Sequence, residues 1–281
     1  MVTVCIPTYQ RPESLQAVLS NLLGKTDRFD EIMIAVTGDR EDSLGEKETP
    51  TWRRTKQLLK AFSLADIRIT VEAGFSGLME AKQWFVTYAQ NEICLFLDDD
   101  AVLGEGYFDL ARHFCQDEEV GAVSGVLQTP INYDGYKDWS DRPISVNDEY
   151  SNTLLYDHRR KTIQWFDKYQ VYMHEDDKIF ECEYLIGTAL FVMRDLVEID
   201  YEFQRGACAG EEIDFTYNIY QQGYSLLFDT SAICWHLHES KGGMRDKDRS
   251  KDQENFDYLV KKWGLGEGIE DRCSHQIEGS E

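Results

Sequence analysis

The sequence predicts an α/β fold with a mostly parallel central sheet flanked by helices, and three observations carry that prediction. Short apolar runs alternate with segments whose apolar residues recur at helical spacing through the first hundred residues. One of these runs, residues 93–97, leads directly into Asp98-Asp99-Asp100. Neither a G-x-G-x-x-G turn nor a G-x-x-x-x-G-K-[ST] loop follows the first run, so any nucleotide is held by other means than a dinucleotide fingerprint or a P-loop. A buried strand that ends in acids places them at the carboxyl edge of its sheet, where open α/β sheets bind ligands.

The elements follow in order. Residues 2–6 read as a buried strand and Pro7-Thr8-Tyr9-Gln10-Arg11 as a loop. Pro12 suits a first helical turn, Leu15, Val18, Leu19, Leu22 and Leu23 form one helix face, and Gly24 is placed to stop it. Residues 32–36 read as a second strand, 37–52 as polar and irregular, 52–65 as a helix and 67–71 as a third strand. Gly74 and Gly77 flank a turn, and Leu78, Ala81, Phe85 and Tyr88 define the face of a helix that precedes the acid-tipped strand. Such alternation implies right-handed crossovers. Further on, a helix is expected over 107–116, strands over 120–126 and 184–193, a helix over 211–222, and short strands over 226–228 and 232–235. Residues 128–181, rich in Asp, Tyr and Trp, read as loops or an extended hairpin shaping a pocket. Phe256, Leu259, Val260 and Trp263 mark a last amphipathic helix, and 264–281 read as a frayed tail.

Composition narrows the function classes. Fifty-two acidic against 29 basic side chains give a net charge of −23, which argues against a nucleic-acid groove or an anionic membrane face. The seven cysteines are odd in number and form no C-x-x-C pair, so they read as buried free thiols in a reducing compartment. No run reaches the roughly 18 apolar residues of a membrane span, and the opening residues read as a strand, so the expectation is a soluble, cytoplasmic protein.

Side chains alternate along extended backbone, so Asp98 and Asp100 point one way and Asp99 the other. Two hard oxygen donors on one side suit Mg²⁺ or Mn²⁺, especially with phosphate oxygens completing the shell. Three acids alone read better as an acidic turn; the rest of the chain reverses that preference. Three further signals accompany them in order: Ile6-Pro7-Thr8-Tyr9-Gln10-Arg11-Pro12, then Gly210-Glu211-Glu212-Ile213-Asp214 at a helix start, then Trp235-His236-Leu237-His238 with Gly242-Gly243-Met244-Arg245 after it.

With these four motifs the chain resembles a family 2 glycosyltransferase of GT-A fold, over roughly residues 1–265. The resemblance implies one catalytic domain over 1–265, with a nucleotide-binding half over 1–126, a smaller acceptor and catalytic half over 127–265, and a tail over 266–281. It implies transfer of a sugar from a nucleotide-diphosphate donor, by family default UDP-linked, to an acceptor hydroxyl with inversion. The acceptor class stays open among glycans, lipid-linked glycans, peptides and small molecules. Nucleotide contacts are expected at Pro7, Thr8, Tyr9, Arg11, Asp39, Lys82, Asp98 and Asp99; Tyr9 reads equally as core packing, and Arg11 as a solvated helix-start residue. Metal ligands are expected from Asp98, Asp100 and either His236 or His238, which share strand parity, and the ion is Mn²⁺ or Mg²⁺. Glu212 is the first choice for general base and Glu211 the second, although acids in a first helical turn are favourable in any case. Asp214 is read as supporting the helix start. Lys241, Arg245 and Lys247 are expected on a loop that closes over the diphosphate. Gly187-Thr188-Ala189 leaves room either for a donor sugar or for ordinary sheet packing, and His174-Glu175-Asp176-Asp177 reads as surface loop.

The chain departs from the family pattern in places. Lys82-Gln83 stands where Arg-Asn is usual, which removes a bidentate fork. Glu211-Glu212 replaces Glu-Asp, and Asp39 is the single acid at the end of the second strand. Two other readings compete. A nucleotidyltransferase also uses paired acids but expects a glycine-rich loop where Pro7-Thr8-Tyr9 stands. A non-catalytic sugar-nucleotide or glycan-binding module would show no release of nucleotide from a UDP-sugar.

Overall fold

A computed structural model describes residues 1–128, 154–157, 162–165, 179–185, 187–202, 210–237 and 252–263. Four parallel strands open the chain: β1 (Val2–Thr8), β2 (Glu31–Thr37), β3 (Arg68–Phe75) and β4 (Ile93–Leu97). Helices α1 (Pro12–Leu23), α2 (Arg40–Leu44), α3 (Pro50–Leu64) and α4 (Leu78–Tyr88) connect them. After β4 come β5 (Ala101–Leu103), a 3-10 turn over Tyr107–Ala111, α5 (Arg112–Gln116) and β6 (Val120–Gln128). The later strands are β7 (Leu154–Asp157), β8 (Thr162–Trp165), β9 (Ile179–Cys182), β10 (Ala189–Met193) and β11 (Ser225–His236). Helix α6 (Glu211–Gln221) precedes β11, and α7 (Asp252–Trp263) follows it.

Strands of the main sheet run in the order β3-β2-β1-β4-β10-β6-β11-β5, with β9 also paired to β11; β7 and β8 form a separate antiparallel pair. Two-residue periodicity sorts the core into two layers. Val4, Ile6, Ile32, Ile34, Leu95 and Leu97 face Leu15, Val18, Leu19 and Leu22 of α1 and Leu58 and Phe62 of α3. Cys5, Met33, Ala35, Cys94, Phe96, Leu190 and Val192 face Ala81 and Phe85 of α4 and Phe215 and Ile219 of α6. Each fully buried Leu, Ile or Phe contributes roughly 1.5–3 kcal/mol, so both layers fix the carboxyl ends of β1 and β4 as one rigid edge.

Several expectations need correction. The stretch over 37–52 is not irregular: Asp39 caps α2 by accepting from the Glu41 amide, Thr49 caps α3 by accepting from the Trp52 amide, and Pro50 sits in the first turn. The helix over 107–116 divides into the 3-10 turn and α5. The strand over 184–193 is confined to β10, because the Leu185 amide donates to Thr216 Oγ1 on α6 rather than to a neighbouring strand. Residues 226–228 and 232–235 belong to one long strand, β11, whose register against β6 shifts between Phe228 and Ile233. The three-residue strand β5 was not anticipated. It pairs antiparallel with the end of β11, His236 opposite Ala101, and the Leu237 amide donates to the Asp100 carbonyl at 2.8 Å. Of the cysteines, Cys5, Cys94, Cys182 and Cys234 are buried free thiols, whereas Cys115 is exposed. Among the described residues no helix is long and apolar enough to cross a membrane.

Candidate active site

The acid run leaves β4 at the sheet edge, and the Asp98 amide donates to the Thr188 carbonyl just ahead of β10. Pairing of β5 with β11 then lays His236 beside Asp100: His236 Nε2 is 3.1 Å from Asp100 Oδ1 and 3.9 Å from Asp98 Oδ2. Ligand atoms of Asp98, Asp100 and His236 all lie within 4.8 Å of one another. An octahedral ion with bonds of about 2.1 Å holds adjacent ligands about 3 Å apart; the His236–Asp100 spacing matches that, and the His236–Asp98 spacing is wider. Two carboxylates and one imidazole are donors that Mn²⁺ accepts and Mg²⁺ tolerates.

Asp99 turns the other way. Its carboxylate accepts from Thr8 Oγ1 at 2.7 Å, from the Tyr9 amide at 3.3 Å and from Arg11 Nη1 at 3.1 Å. Arg11 Nη1 also reaches Asp100 Oδ2 at 2.9 Å. Thr8, Asp99 and Arg11 therefore lock the loop after β1 to the loop after β4. Arg11, whose side chain is 9% exposed, is neither a solvated helix-start residue nor poised alone for phosphate; it bridges two carboxylates. The Thr8 hydroxyl likewise donates to Asp99.

Charge is unevenly matched here. The Asp98 side chain is 39% exposed, yet the protein packed around it pushes its carboxyl up to about 7. Asp100 and Glu212 push it the same way, while His236 and Lys82 oppose them. Burial also raises the Asp99 carboxyl to about 6, against the pull of Arg11. Negative groups crowded at a sheet edge are chemically suited to a bound cation.

The second cluster lies beside the first. Gly210, in the left-handed region at φ 101°, starts α6, and Glu211 and Glu212 occupy its first turn. Lys82 of α4, buried at 4% exposure, places Nζ 3.2 Å from Glu211 Oε1 and 3.8 Å from Glu212 Oε1, over the rings of Phe96 and Phe215. Lys82, expected at the diphosphate, has its ammonium within reach of both glutamates. One cation serves two carboxylates, so burial and the neighbouring Glu212 hold the Glu211 carboxyl well above the usual range, while the two glutamates keep Lys82 charged despite its burial. Glu211 is 1% exposed, and its Oε2 is buried without a partner among the described residues. Glu212 is the more accessible of the two, with a side chain 25% exposed. Geometry thus favours Glu212 over Glu211 for contact with a substrate.

Gly187 explains where Glu212 sits. A Cβ at Gly187 would collide with Glu212 Cγ and come within 2.9 Å of its carboxyl group. The small residue makes room for the glutamate. Sequence periodicity carries no trace of this contact, because the two residues meet only when β10 and α6 are assembled.

The description "Glycosyltransferase like family 2" belongs to the family model that matches residues 1–255. The chain belongs to this family. Its fold resembles the crystal structure of GalNAc-T7 with UDP, GalNAc and Mn²⁺, at 12% identity and a TM-score of 0.62, covering 93% of this chain and 47% of that one. It also resembles S. aureus TarS in complex with UDP-GlcNAc, at 12% identity and a TM-score of 0.58, covering 93% and 64%. A third likeness is to the mannosyltransferase PcManGT from Pyrobaculum calidifontis in complex with GDP-Man and Mn²⁺, at 16% identity and a TM-score of 0.53, covering 100% and 76%. The chain thus spans about half the length of the first of these structures and under two thirds of the second. These structural likenesses show the GT-A fold and no more. No curated protein matches the chain.

The remaining expected residues divide by position. Pro7 lies within β1 opposite Ala35, not in a loop. The Tyr9 ring packs on Gly38, whose φ of 82° leaves no room for a side chain: a Cβ there would meet Tyr9 Cε2 at 2.9 Å. Asp39 is exposed at the end of β2, with Oδ1 occupied by the α2 cap. Asp214 faces away from the acid run and accepts from Lys262 Nζ and Trp263 Nε1 of α7. His238, Lys241, Arg245, Lys247, the segment His174-Glu175-Asp176-Asp177 and the tail 264–281 lie outside the described residues.

Proposed function

We propose that this glycosyltransferase moves a sugar from a nucleotide-diphosphate donor, UDP-linked by preference, to an acceptor hydroxyl with inversion, and that the reaction depends on Mn²⁺ or Mg²⁺. The observation that carries the reading is the convergence of Asp98, Asp100 and His236 within 4.8 Å, next to Glu212. Structures of similar fold contain UDP with Mn²⁺, UDP-GlcNAc, and GDP-Man with Mn²⁺, which supports a nucleotide-sugar donor here.

Asp98, Asp100 and His236 would hold the ion. When bound it supplies a Lewis acid for the charge that builds on a departing diphosphate. Asp99, Thr8 and Arg11 keep the acid loop in register with the loop after β1, so the ligands need little reorganisation. Tyr9 and Asp39 flank the end of β1 and β2, where a base and ribose would lie. Glu212 accepts the acceptor's hydroxyl proton as that oxygen attacks the anomeric carbon, and Lys82 and Gly187 fix its carboxylate. Attack from the side opposite the leaving diphosphate inverts the anomeric centre.

The test is release of UDP from UDP-GlcNAc or of GDP from GDP-mannose with Mn²⁺, with and without chelator, in the wild type and in Glu212→Gln. The expected result is chelator-sensitive release that Glu212→Gln lowers by on the order of 10² to 10⁴ while donor binding persists. Full-rate release with chelator present contradicts the metal role. A loss confined to Glu211→Gln contradicts the choice of base.

A further inference from the structure

We propose that the last helix, α7, acts as a latch that positions the catalytic turn of α6, with Lys262 and Trp263 as its positioning residues. The inference rests on the reading of Glu212 as base. Its own observations lie elsewhere in the molecule. Both carboxylate oxygens of Asp214, in the first turn of α6, are taken by α7: Oδ2 by Lys262 Nζ at 2.8 Å and Oδ1 by Trp263 Nε1 at 2.7 Å. Lys262 Nζ also reaches Asp200 Oδ2 at 2.8 Å, and Tyr258 Oη donates to that same oxygen at 2.7 Å. Asp200 belongs to the segment after β10, so α7 ties α6 to that segment.

The polar ties surround an apolar contact. Leu259 of α7 is fully buried with Met79 of α4, Tyr184 and Ile213 of α6. Trp263 meets Tyr217 of α6 edge to face at 5.2 Å between ring centroids. Ile213 stands between Glu212 and Asp214, so the packed residue and the latched residue directly follow the proposed base. A helix start is the part of a helix least restrained by its own hydrogen bonds, and Gly210 offers no side-chain cap. Restraint of this turn comes from Lys82, Gly187 and the Thr216 hydroxyl, which donates to the Glu212 carbonyl at 2.6 Å, and on the other side from α7. Lys262 and Trp263 lie beyond residue 255, where the match to the family model ends.

Two variants test the inference: Lys262→Met and Trp263→Phe, with Lys262→Arg as the conservative control. Hydrogen exchange of the peptide spanning residues 210–217 is compared with that of β1 and β4, and release of UDP or GDP from UDP-GlcNAc and GDP-mannose with Mn²⁺ is followed in parallel. Expected are at least a tenfold faster exchange in 210–217 with β1 and β4 unchanged, a turnover number lowered about tenfold with donor KM within twofold, and recovery of both in Lys262→Arg. Exchange within twofold of wild type in both variants overturns the proposal. So does a turnover loss matched by an equal rise in donor KM. If Lys262→Met does not fold, Trp263→Phe decides by the same criteria. Coupled exchange in a chain whose Glu212→Gln variant keeps full turnover would leave the latch standing and remove Glu212 as the base.

Discussion

Strand β11 carries one member of each of two Asp–His pairs, and they differ in what surrounds them. Near its middle, Asp229 Oδ2 lies 2.7 Å from His113 Nε2 and 2.9 Å from Arg112 Nη2, while Oδ1 accepts from the Ser231 amide at 2.9 Å. Burial raises that carboxyl, but the hydrogen bonds from Ser231 and His113 and the charge of Arg112 outweigh it, and the net shift is downward. At the end of the strand, His236 meets Asp100 and Asp98, and Arg11 is shared between Asp99 and Asp100. There the Asp98 carboxyl is pushed up to about 7. The same pair of side chains forms a closed structural lock where donors match acceptors. Where carboxylates outnumber fixed cations at an accessible edge, it becomes the cation site proposed above.

The comparison breaks most decisively at the site end. Replacing Asp98 and Asp100 together by Ala should lower nucleotide release by on the order of 10³, because the ligands for a charge worth several kcal/mol at the leaving group are gone. Gly187→Ala should come next. The added methyl displaces Glu212 without touching the acid cluster, so turnover should fall roughly 10- to 100-fold while the donor Kd stays within about twofold. A Gly187→Ala enzyme of wild-type turnover would show that the position of Glu212 is not set there. Smallest in activity and largest in stability is Asp229→Asn. Breaking this buried pair should cost about 3 kcal/mol of stability, measured by urea unfolding, with turnover at 25 °C within about twofold of wild type.

The Asp229 lock also has a signed pH dependence. Its folded carboxyl titrates below the value of about 3.9 found in unfolded chains. Its contribution to stability is therefore complete above that pH and disappears as pH falls through the lowered value. Wild type should lose stability on acidification from about pH 4, and Asp229→Asn should lose less over the same window. Parallel acid-unfolding curves for the two proteins would remove Asp229 as the origin.

These differences were only partly legible in the sequence. The strand before Asp98 could be read because five apolar residues are bounded by an acid run, and α1 and α4 because their buried positions keep helical spacing. Grouping Asp98 and Asp100 against Asp99 needs only strand alternation. Strand β5 escaped because three residues hold no period, and its presence depends on β11, more than a hundred positions away. The partner of Lys82 stands 129 positions downstream, so nothing local distinguishes an ammonium aimed at phosphate from one aimed at Glu211. Tight packing at Gly187 and the Asp214–Lys262 tie are likewise consequences of assembly rather than of pattern.

The most direct test of the central claim counts Mn²⁺ ions by electron paramagnetic resonance while the metal is titrated into the chain with UDP present. The account predicts one tightly held ion per chain in the wild type and its loss in Asp100→Asn with His236→Ala. Equal tight binding by that variant, or none by the wild type, would contradict the assignment of Asp98, Asp100 and His236 to a single cation.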